Sequence, residues 1–541
     1  MAPGMSRRRF LGLAAGSAAL ATTGITHFDL LAGAQQPAGT IPHDWLFESI
    51  PELQSRMAAG RLTSAALTQG YLDRIAHLNG VLHAVLEVNP DAPSIARHLD
   101  RERRNGNPRG PLHGIPVLLK DNIATADSMQ TTAGSLALVG SRVPADAAIV
   151  QRLRAAGAVI LGKTNLSEWA NFRGFAPFNG WSARGGFTRD PYLLQTDPCG
   201  SSSGSAVAVA AGLCAAAVGT ETDGSVVCPS GNNGIVGLKP GSSVLAQDGI
   251  IPIAHSQDTA GPMGRHVVDV AIMLDVMQGG SGASADARGG LDGARIGVDR
   301  RYFDHRFGGE ARIVAVVEQG LDLMRGLGAT VVDTDTGNPN AYSDDELTVL
   351  LFEFKVQIAE YLAALDNTHM RTLADLINFD DHHCGAEMRF FGQEIFDMAE
   401  ATSGDLSDPV YTRARAKCLR LARDEGIDAA IDRDHLDAIV APSYSFASSP
   451  PAVAGYPDLA IPIGLTSFGV PAGVWMYGTA GTEARLLRFA TDIEAARGAF
   501  PKPHLNGFVP PDPPDAGICG HGSSVSNASD RARALSARHS W

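Results

Sequence analysis

The sequence predicts an α/β layer fold, and two observations support that prediction. Helical segments alternate with short apolar runs, as in the helix predicted over residues 146–156 and the buried strand predicted over residues 158–162. Hydrophobic residues make up 44% of the 541 residues and charged residues 19%, so the chain can bury a large core. We therefore expect helices packed against a sheet of buried strands.

The first half of the chain supplies several of these elements. Apolar side chains at three- to five-residue spacing predict that residues 50–96 are largely helical, with a break near residues 90–93. The pair Thr63-Ser64 fits the N-cap of one such helix, before residues 65–67. A short apolar strand ends in the charged Lys120. Residues 206–218 are almost entirely apolar, so this Gly- and Ser-rich region is a buried helix and a strand rather than a linker.

The second half returns to the core after an outer layer. Residues 338–433 are richer in charge and resemble helices on the outside of the domain. Apolar runs over residues 436–442 and 474–478 predict two further core strands. Residues 511–541 are rich in Pro, Gly, Ser and Arg and are predicted to form a disordered tail. The folded domain is therefore expected over residues 35–510.

The N-terminus has the pattern of an export signal over residues 1–34. Basic residues in the stretch 6–11 (SRRRFL) precede an apolar run over residues 12–21, and a small-x-small pattern follows at residues 32–34. The paired arginines resemble a twin-arginine signal, which predicts a periplasmic or secreted protein. No later segment has 18 uninterrupted apolar residues, so we expect no stable membrane insertion after signal removal.

Charge and cysteine content exclude some classes of partner. A net charge of −14 gives no general attraction for nucleic acid or anionic membranes, so no nucleic-acid partner is expected. No cysteine belongs to a CxxC pair, which favours scattered thiols, although a disulfide remains open in an oxidising compartment. The cysteines are Cys199, Cys214, Cys228, Cys384, Cys418 and Cys519. Residues 382–384 (HHC) are not predicted to bind metal, because adjacent ligands rarely face one ion.

Two Gly- and Ser-rich loops could present a nucleophile. Residues 200–205 (GSSSGS) precede the apolar helix, whose free N–H groups and dipole can hold a hydroxyl or an anion. Residues 219–225 (GTETDGS) follow a predicted strand and place Ser225 where backbone N–H groups can converge on an oxyanion. This second pattern differs from the G-x-S-x-G nucleophile elbow. Taken alone, each loop is also typical of a helix cap or a turn.

Lys120 is the candidate base for a serine nucleophile. A serine hydroxyl needs a base to take its proton, and no histidine is evident near either loop. Lys120 ends an apolar strand, and burial lowers the pKa of a lysine because the charged form loses its solvation. A desolvated lysine can therefore act as a base. The alternative is a structural lysine held in a pair.

Together these segments resemble the amidase signature family. The segments that carry the resemblance are residues 110–116, 120–122, 162–165, 200–205, 219–225, 234–240 and 256–263. The likeness extends from about residue 48 to residue 503, nearly the whole chain after the signal. Within the family, the chain is most similar to the bacterial peptide amidases, through residues 164–173, 199–205 and 220–225.

The resemblance implies a fold and a set of catalytic roles. The fold is a single α/β domain with a mixed, mostly parallel sheet and helices on both faces. The family's nucleophile falls on Ser225, its bridging serine after a cis peptide bond falls on Ser201, and its base falls on Lys120. The oxyanion hole falls on the backbone N–H groups of Thr222, Asp223, Gly224 and Ser225. No cofactor and no metal is implied.

These roles imply a proton relay that ends in an acyl-enzyme. Neutral Lys120 takes a proton from Ser201, which takes one from Ser225, and the Ser225 oxygen attacks the carbonyl carbon of an amide. Ser201 then protonates the leaving amine, and water hydrolyses the acyl-enzyme. Because Lys120 must be uncharged, activity should rise toward alkaline pH.

Two departures from the family pattern bear on the substrate. Many members carry Arg where this chain has Val227, which disfavours anionic substrates that need that cation. Asp223 stands where Gly is usual and could favour a substrate with a positive or hydrogen-bond-donating group, or could instead be bonded to loop amides. Trp475 and Tyr477 lie on one face of a predicted strand and belong either to the core or to a pocket for an apolar acyl group.

The sequence thus predicts an amidase that cuts carboxamide bonds in linear amides, with C-terminal peptide amides as the first candidate substrate. Its expected partner is therefore a small-molecule or peptide amide. The alternative is the ammonia-supplying amidase component of a tRNA-dependent amidotransferase, which the export signal opposes. A binding protein that keeps the fold without activity is disfavoured, because all three triad residues are present.

Overall fold

The computed structural model describes residues 44–280 and 289–520. The predicted export signal and residues 521–541 of the predicted tail lie outside these ranges. Within them, no helix is both long enough and apolar enough to cross a membrane.

An eleven-stranded sheet forms the centre of the molecule, and a separate two-stranded hairpin pairs β4 with β5. In chain order the strands are β1 (Val85–Val88), β2 (Pro116–Lys120), β3 (Val159–Thr164), β4 (Trp181–Ser182), β5 (Gly186–Phe187), β6 (Ala216–Glu221), β7 (Val236–Lys239), β8 (Thr259–Gly264), β9 (Arg295–Asp299), β10 (Thr330–Thr334), β11 (Ala438–Pro442), β12 (Asp458–Leu465) and β13 (Pro471–Tyr477). The order across the large sheet is β1-β3-β2-β6-β8-β7-β12-β13-β11-β9-β10.

The sheet is mixed, as predicted, with two parallel groups separated by an antiparallel centre. Strands β3, β2 and β6 pair in parallel, and so do β11, β9 and β10. All other neighbouring pairs are antiparallel, so the mostly parallel arrangement holds only in the two groups of three. One of the central antiparallel pairs follows from a short connection. The turn over residues 466–470 joins β12 directly to β13, and so short a connection requires an antiparallel pair.

Sixteen α-helices surround the sheet in the described ranges. They are α1 (Ile50–Ala58), α2 (Ser64–Leu82), α3 (Ala92–Arg104), α4 (Ala148–Ala155), α5 (Ser203–Ala210), α6 (Val227–Asn232), α7 (Val267–Gln278), α8 (Ala311–Gly326), α9 (Ser343–Ala363), α10 (Leu373–His382), α11 (Cys384–Glu387), α12 (Glu394–Glu400), α13 (Pro409–Leu419), α14 (Ala429–Asp434), α15 (Ser449–Ala454) and α16 (Glu483–Arg497). The predicted N-cap of α2 is confirmed, because the Thr63 side chain accepts a hydrogen bond from the Ala66 N–H at 3.1 Å.

One predicted helical stretch contains a strand instead. Helix α2 ends at His83, whose backbone is left-handed with φ 48°, and strand β1 follows where the spacing indicated more helix. The Asn79 side chain fixes this change, since its oxygen accepts from the N–H groups of Ala84 and Val85 at 2.9 and 2.8 Å. A local side-chain bond of this kind competes with the helix and is not visible in apolar periodicity.

The strands that surround the site are buried along their whole length. Every residue of β2, β3, β6 and β8 is buried. Because side chains alternate between the two faces of a strand, burial at every position means that helices or loops cover both faces. The predicted α/β architecture is therefore confirmed.

Two disulfides are formed, at positions that the sequence left open. One joins Cys199 to Cys228, and the other joins Cys384 to Cys519. The second attaches residues 511–520, part of the predicted tail, to the first residue of α11. The remaining thiols, Cys214 and Cys418, are outside any disulfide and buried.

Candidate active site

Lys120 is the last residue of β2 and is completely buried. Its Nζ lies 2.7 Å from Ser201 Oγ, 3.0 Å from Thr220 Oγ1 and 3.2 Å from the Thr220 carbonyl oxygen. Parallel pairing of β2 with β6 accounts for this meeting, because both strands bring their carboxyl ends to the same edge of the sheet. The Thr220 hydroxyl also accepts from Asn122 Nδ2 at 2.9 Å, which holds the acceptor in place.

Burial lowers the pKa of Lys120 to about 7, while the charges of Glu221 and Asp258 oppose that shift more weakly. No carboxylate within the described part of the chain forms an ion pair with this amine. At neutral to alkaline pH a large fraction of Lys120 is therefore uncharged, as the prediction for a desolvated lysine requires.

Ser201 lies in the loop before α5, follows a cis peptide bond after Gly200, and is buried. The loop is closely packed here: a Cβ on Gly200 would lie 2.3 Å from Ser167 Oγ, so only glycine fits. The Ser201 carbonyl accepts from the Ser167 N–H at 3.0 Å, and the next N–H, of Ser202, donates to the Ser225 carbonyl at 3.1 Å. The two serine loops are therefore joined through their backbones.

Ser225 follows β6 in the turn that leads into α6 and is one of the residues that line a cavity beside the site. The structure thus brings Lys120 and Ser201 into direct contact and places Ser225 beside them. Within the described residues, no hydrogen bond joins the hydroxyls of Ser201 and Ser225.

Glu221 organises the turn that carries Ser225, a role that sequence reasoning missed. Its carboxylate accepts from the N–H groups of Gly224 at 2.7 Å, Val226 at 2.7 Å and Val227 at 3.0 Å. The acid therefore stabilises the N-terminus of α6, where a negative charge is favoured. The Gly224 N–H, predicted as one of the oxyanion donors, donates to Glu221 in this structure, and the oxyanion hole stays a prediction. No local pattern in the sequence marks this acid, because it lies six residues before the first residue of α6.

The cavity in front of Ser225 is open to solvent and has about 1130 Å³ of empty space when its open mouth is included. Its lining residues are Ala170, Asn171, Phe172, Pro177, Asn179, Cys199, Gly200, Thr222, Asp223, Gly224, Ser225, Cys228, Ile253, Gly308, Glu346, Leu347, Leu350, Tyr444, Ser445, Phe446, Ser448 and Trp475. Trp475 and Tyr477 both belong to one buried core cluster. Trp475 also lines this cavity and donates from Nε1 to the Val227 carbonyl at 3.2 Å, so the two alternatives left open hold together for Trp475.

The Cys199–Cys228 disulfide forms part of the same cavity wall. Cys199 lies two residues before Ser201 and Cys228 lies three residues after Ser225. The bond therefore ties the two serine loops together covalently, in addition to the backbone bond between them.

Asp223 lines the cavity and accepts a hydrogen bond from Ser448 Oγ at 2.5 Å. This contact differs from the predicted alternative, in which loop amides would bind the carboxylate. The HHC segment lies elsewhere, and Cys384 within it is in a disulfide. In the described ranges, no group of three or more His, Cys, Asp or Glu side chains could hold a metal ion.

Comparison with known proteins places the chain in a family. The family model described as Amidase matches residues 66–447. The chain belongs to the amidase signature family. It is 40% identical over 471 residues to the protein named "Probable amidase" of Arabidopsis thaliana, covering 83% of this chain and 90% of the relative.

Two further similarities within the amidase family point to different members. The X-ray structure of native peptide amidase from Stenotrophomonas maltophilia has 48% sequence identity and a TM-score of 0.79, and the match covers 85% of this chain and 98% of that chain. One component of the glutamyl-tRNA(Gln) amidotransferase of Methylobacillus flagellatus is 32% identical, with 81% of this chain and 95% of the relative covered. Family membership makes the protein a hydrolase that acts on carbon–nitrogen bonds in amides.

Proposed function

We propose that this amidase hydrolyses C-terminal carboxamides of peptides through Ser225, Ser201 and Lys120, with an acyl-enzyme on Ser225. The observation that carries the proposal is the 2.7 Å contact between Lys120 Nζ and Ser201 Oγ in a fully buried setting. A lysine without an ion pair in the described part of the chain, in contact with a serine hydroxyl, has the surroundings of a general base.

The hydrogen bonds around Lys120 suit the uncharged amine. A neutral amine has two N–H donors and one lone pair. The two oxygens of Thr220, at 3.0 and 3.2 Å, can accept the two N–H groups, which leaves the lone pair for the Ser201 hydroxyl proton. In this arrangement Lys120 is oriented to accept a proton.

The reaction then proceeds in two halves. Lys120 takes the Ser201 proton while Ser201 takes the Ser225 proton, and the Ser225 oxygen bonds to the amide carbonyl carbon. The carbon–nitrogen bond breaks as Ser201 gives its proton to the leaving nitrogen and regains one from Lys120, so ammonia departs, an ester remains on Ser225 and Lys120 is again uncharged. Water then attacks the ester, its proton passes to Ser225 as the ester bond breaks, and the peptide acid leaves.

The oxyanion formed in each half needs backbone donors. We assign this role to the N–H groups of Thr222, Asp223 and Ser225, because the N–H of Gly224 is held by Glu221 at 2.7 Å. Each donor of this kind contributes about 3–4 kcal/mol to transition-state stabilisation.

Two observations support peptide amides handled outside the cytoplasm. The match to peptide amidase includes 48% identity over most of both chains. Two disulfides, Cys199–Cys228 and Cys384–Cys519, are typical of an oxidising compartment and agree with the twin-arginine pattern over residues 1–34. A component of a tRNA-dependent amidotransferase would instead work in the cytoplasm.

Ammonia release by the purified chain alone tests this function. We expect hydrolysis of N-acetylated dipeptide amides and stoichiometric labelling by a fluorophosphonate probe. Ser225→Ala should abolish both, whereas Ser205→Ala, a buried serine in α5 that lies outside the cavity lining, should retain both. Activity in Ser225→Ala equal to that of Ser205→Ala would refute the proposed nucleophile.

A further inference from the structure

We propose that the cavity selects amide substrates that carry an organic cation, an ammonium or a guanidinium, within a residue of the scissile bond, and that Asp223 is the residue that selects them. This inference rests on the proposed function. It adds a charge preference to the substrate class of the same site.

The charged side chains of the cavity are all acidic. Among the described residues that line it, Asp223 and Glu346 are the only carboxylic acids, and there is no Lys, Arg or His. Asp223 is only partly buried, lines the same cavity and stands two residues before Ser225. A cleft lined by one sign of charge attracts ligands of the opposite sign.

The catalytic centre next to this cavity adds little positive charge. Its cation is the amine of Lys120, whose pKa is lowered to about 7 by burial, so it is largely uncharged above that pH. Glu221 and Asp258 are acids that lie close enough to Lys120 for their charges to act on its amine. The Ser448 hydroxyl donates to Asp223 Oδ1 at 2.5 Å and orients the carboxylate.

The rest of the cavity wall suits the body of such a substrate. The aromatic side chains of Phe172, Tyr444, Phe446 and Trp475 line the same space. Aromatic faces attract cations and also pack against the methylene groups of a lysine or arginine side chain. A substrate with an aliphatic stem and a cationic end therefore matches both the acidic and the aromatic parts of the wall.

Matched peptide amides test the preference. We would compare N-acetyl-phenylalanyl amides that end in lysine amide, norleucine amide or glutamate amide, at pH 8 and low ionic strength. We expect kcat/KM to be about tenfold higher for the lysine amide than for the norleucine amide, and lowest for the glutamate amide. Because the effect is electrostatic, 0.5 M NaCl should reduce the difference. A norleucine dipeptide amide with a free α-amine distinguishes a backbone ammonium from a side-chain cation as the source.

Asp223→Asn provides the decisive variant. Whatever its effect on the absolute rates, it should reduce the ratio of kcat/KM for the lysine amide to that for the norleucine amide to within about threefold. Asp405→Asn, an exposed acid away from the cavity, should leave that ratio unchanged. Equal rates for the three amides in the unmodified enzyme, or a full lysine preference in Asp223→Asn, would overturn the proposal.

A second measurement separates this inference from the proposed function. The same three peptides can be tested as protectors of Ser225 against fluorophosphonate labelling, which requires binding but no turnover. Stronger protection by the lysine amide supports the charge preference even if peptide amides prove to be poor substrates. Protection that is equal for all three peptides, or strongest for the glutamate amide, contradicts it.

Discussion

Two buried lysines, Lys120 and Lys163, lie near the same edge of the sheet in this molecule. Lys120 is the last residue of β2, Lys163 is the last but one of the neighbouring parallel strand β3, and both are completely buried. Burial lowers the pKa of Lys120 to about 7 and that of Lys163 to about 8. By burial and by pKa, either lysine could act as a base near neutral pH.

Their contacts differ, and the difference assigns their roles. Lys163 Nζ donates to the Ile123 carbonyl at 2.6 Å and to Thr131 Oγ1 at 2.8 Å, and Asp121 is among the charges that raise its pKa. Lys120 instead contacts Ser201, whose loop is joined to that of Ser225. Burial makes both amines easy to deprotonate. Only Lys120 also contacts a serine hydroxyl next to the loop of the proposed nucleophile, and this contact gives its amine a catalytic role.

The largest expected effect comes from removing each amine in turn. Lys120→Met keeps the length of the side chain but removes the proposed base, so we expect kcat to fall by about 10³-fold, within the range for general bases. Lys163→Met should change kcat for folded protein by less than about threefold. Steady-state rates on one peptide amide, normalised to the concentration of folded protein, measure both variants.

Thermal unfolding of both variants is the control, because a folding defect would lower the melting temperature as well as the rate. The assignment of the base fails if both substitutions reduce kcat equally in folded protein, or if Lys163→Met has the larger effect.

The pH dependence of the rate offers the next largest effect. Only uncharged Lys120 can accept the proton, so kcat/KM should fall about tenfold per pH unit below the lowered pKa near 7 and level off above pH 8. The profile of Lys163→Met should keep the same midpoint. A rate that stays flat between pH 6 and 9, with chemistry rate-limiting, would contradict Lys120 as the base.

Stability tests what the two lysines share. Between its lowered native pKa and the unfolded value near 10.5, each lysine binds fewer protons in the native than in the unfolded state. The free energy of unfolding should therefore rise with pH across this window, by up to about 1.4 kcal/mol per pH unit for each lysine.

Urea unfolding of the two methionine variants from pH 7.5 to 10 measures this slope. Each variant should gain less stability with rising pH than the unmodified protein does, because one of the two titrating amines is gone. Equal slopes in all three proteins would mean that neither amine is desolvated in the native state.

The sequence predicted those parts of the site that are marked by a local pattern of residues. These patterns are the apolar strand that ends in Lys120 and the Gly- and Ser-rich loops around Ser201 and Ser225. The family resemblance assigned all three residues to one site. The contacts that separate Lys120 from Lys163 could not be predicted in the same way. They depend on which loops fold over each strand end, and hence on pairings between residues far apart in the chain.

Other features depended on side-chain geometry that periodicity does not report. Glu221 is one more acid in the sequence, and only the turn into α6 directs three N–H groups at its carboxylate. Likewise, the pairing of Cys199 with Cys228 requires the two serine loops to be adjacent first. Strand β1 was missed because the Asn79 side chain ends helix α2 against the apolar spacing.

The smallest expected effect concerns the threonine beside each lysine. Thr220→Val removes one of the two acceptors that orient the Lys120 amine, so we expect kcat to fall about threefold to tenfold with little change in KM, a loss comparable to one hydrogen bond. Thr131→Val removes the corresponding acceptor beside Lys163 and should leave kcat unchanged. If both valine variants have the same kcat, orientation of the Lys120 amine contributes nothing measurable to the rate. The difference in role between Lys120 and Lys163 would then come from the Ser201 contact alone.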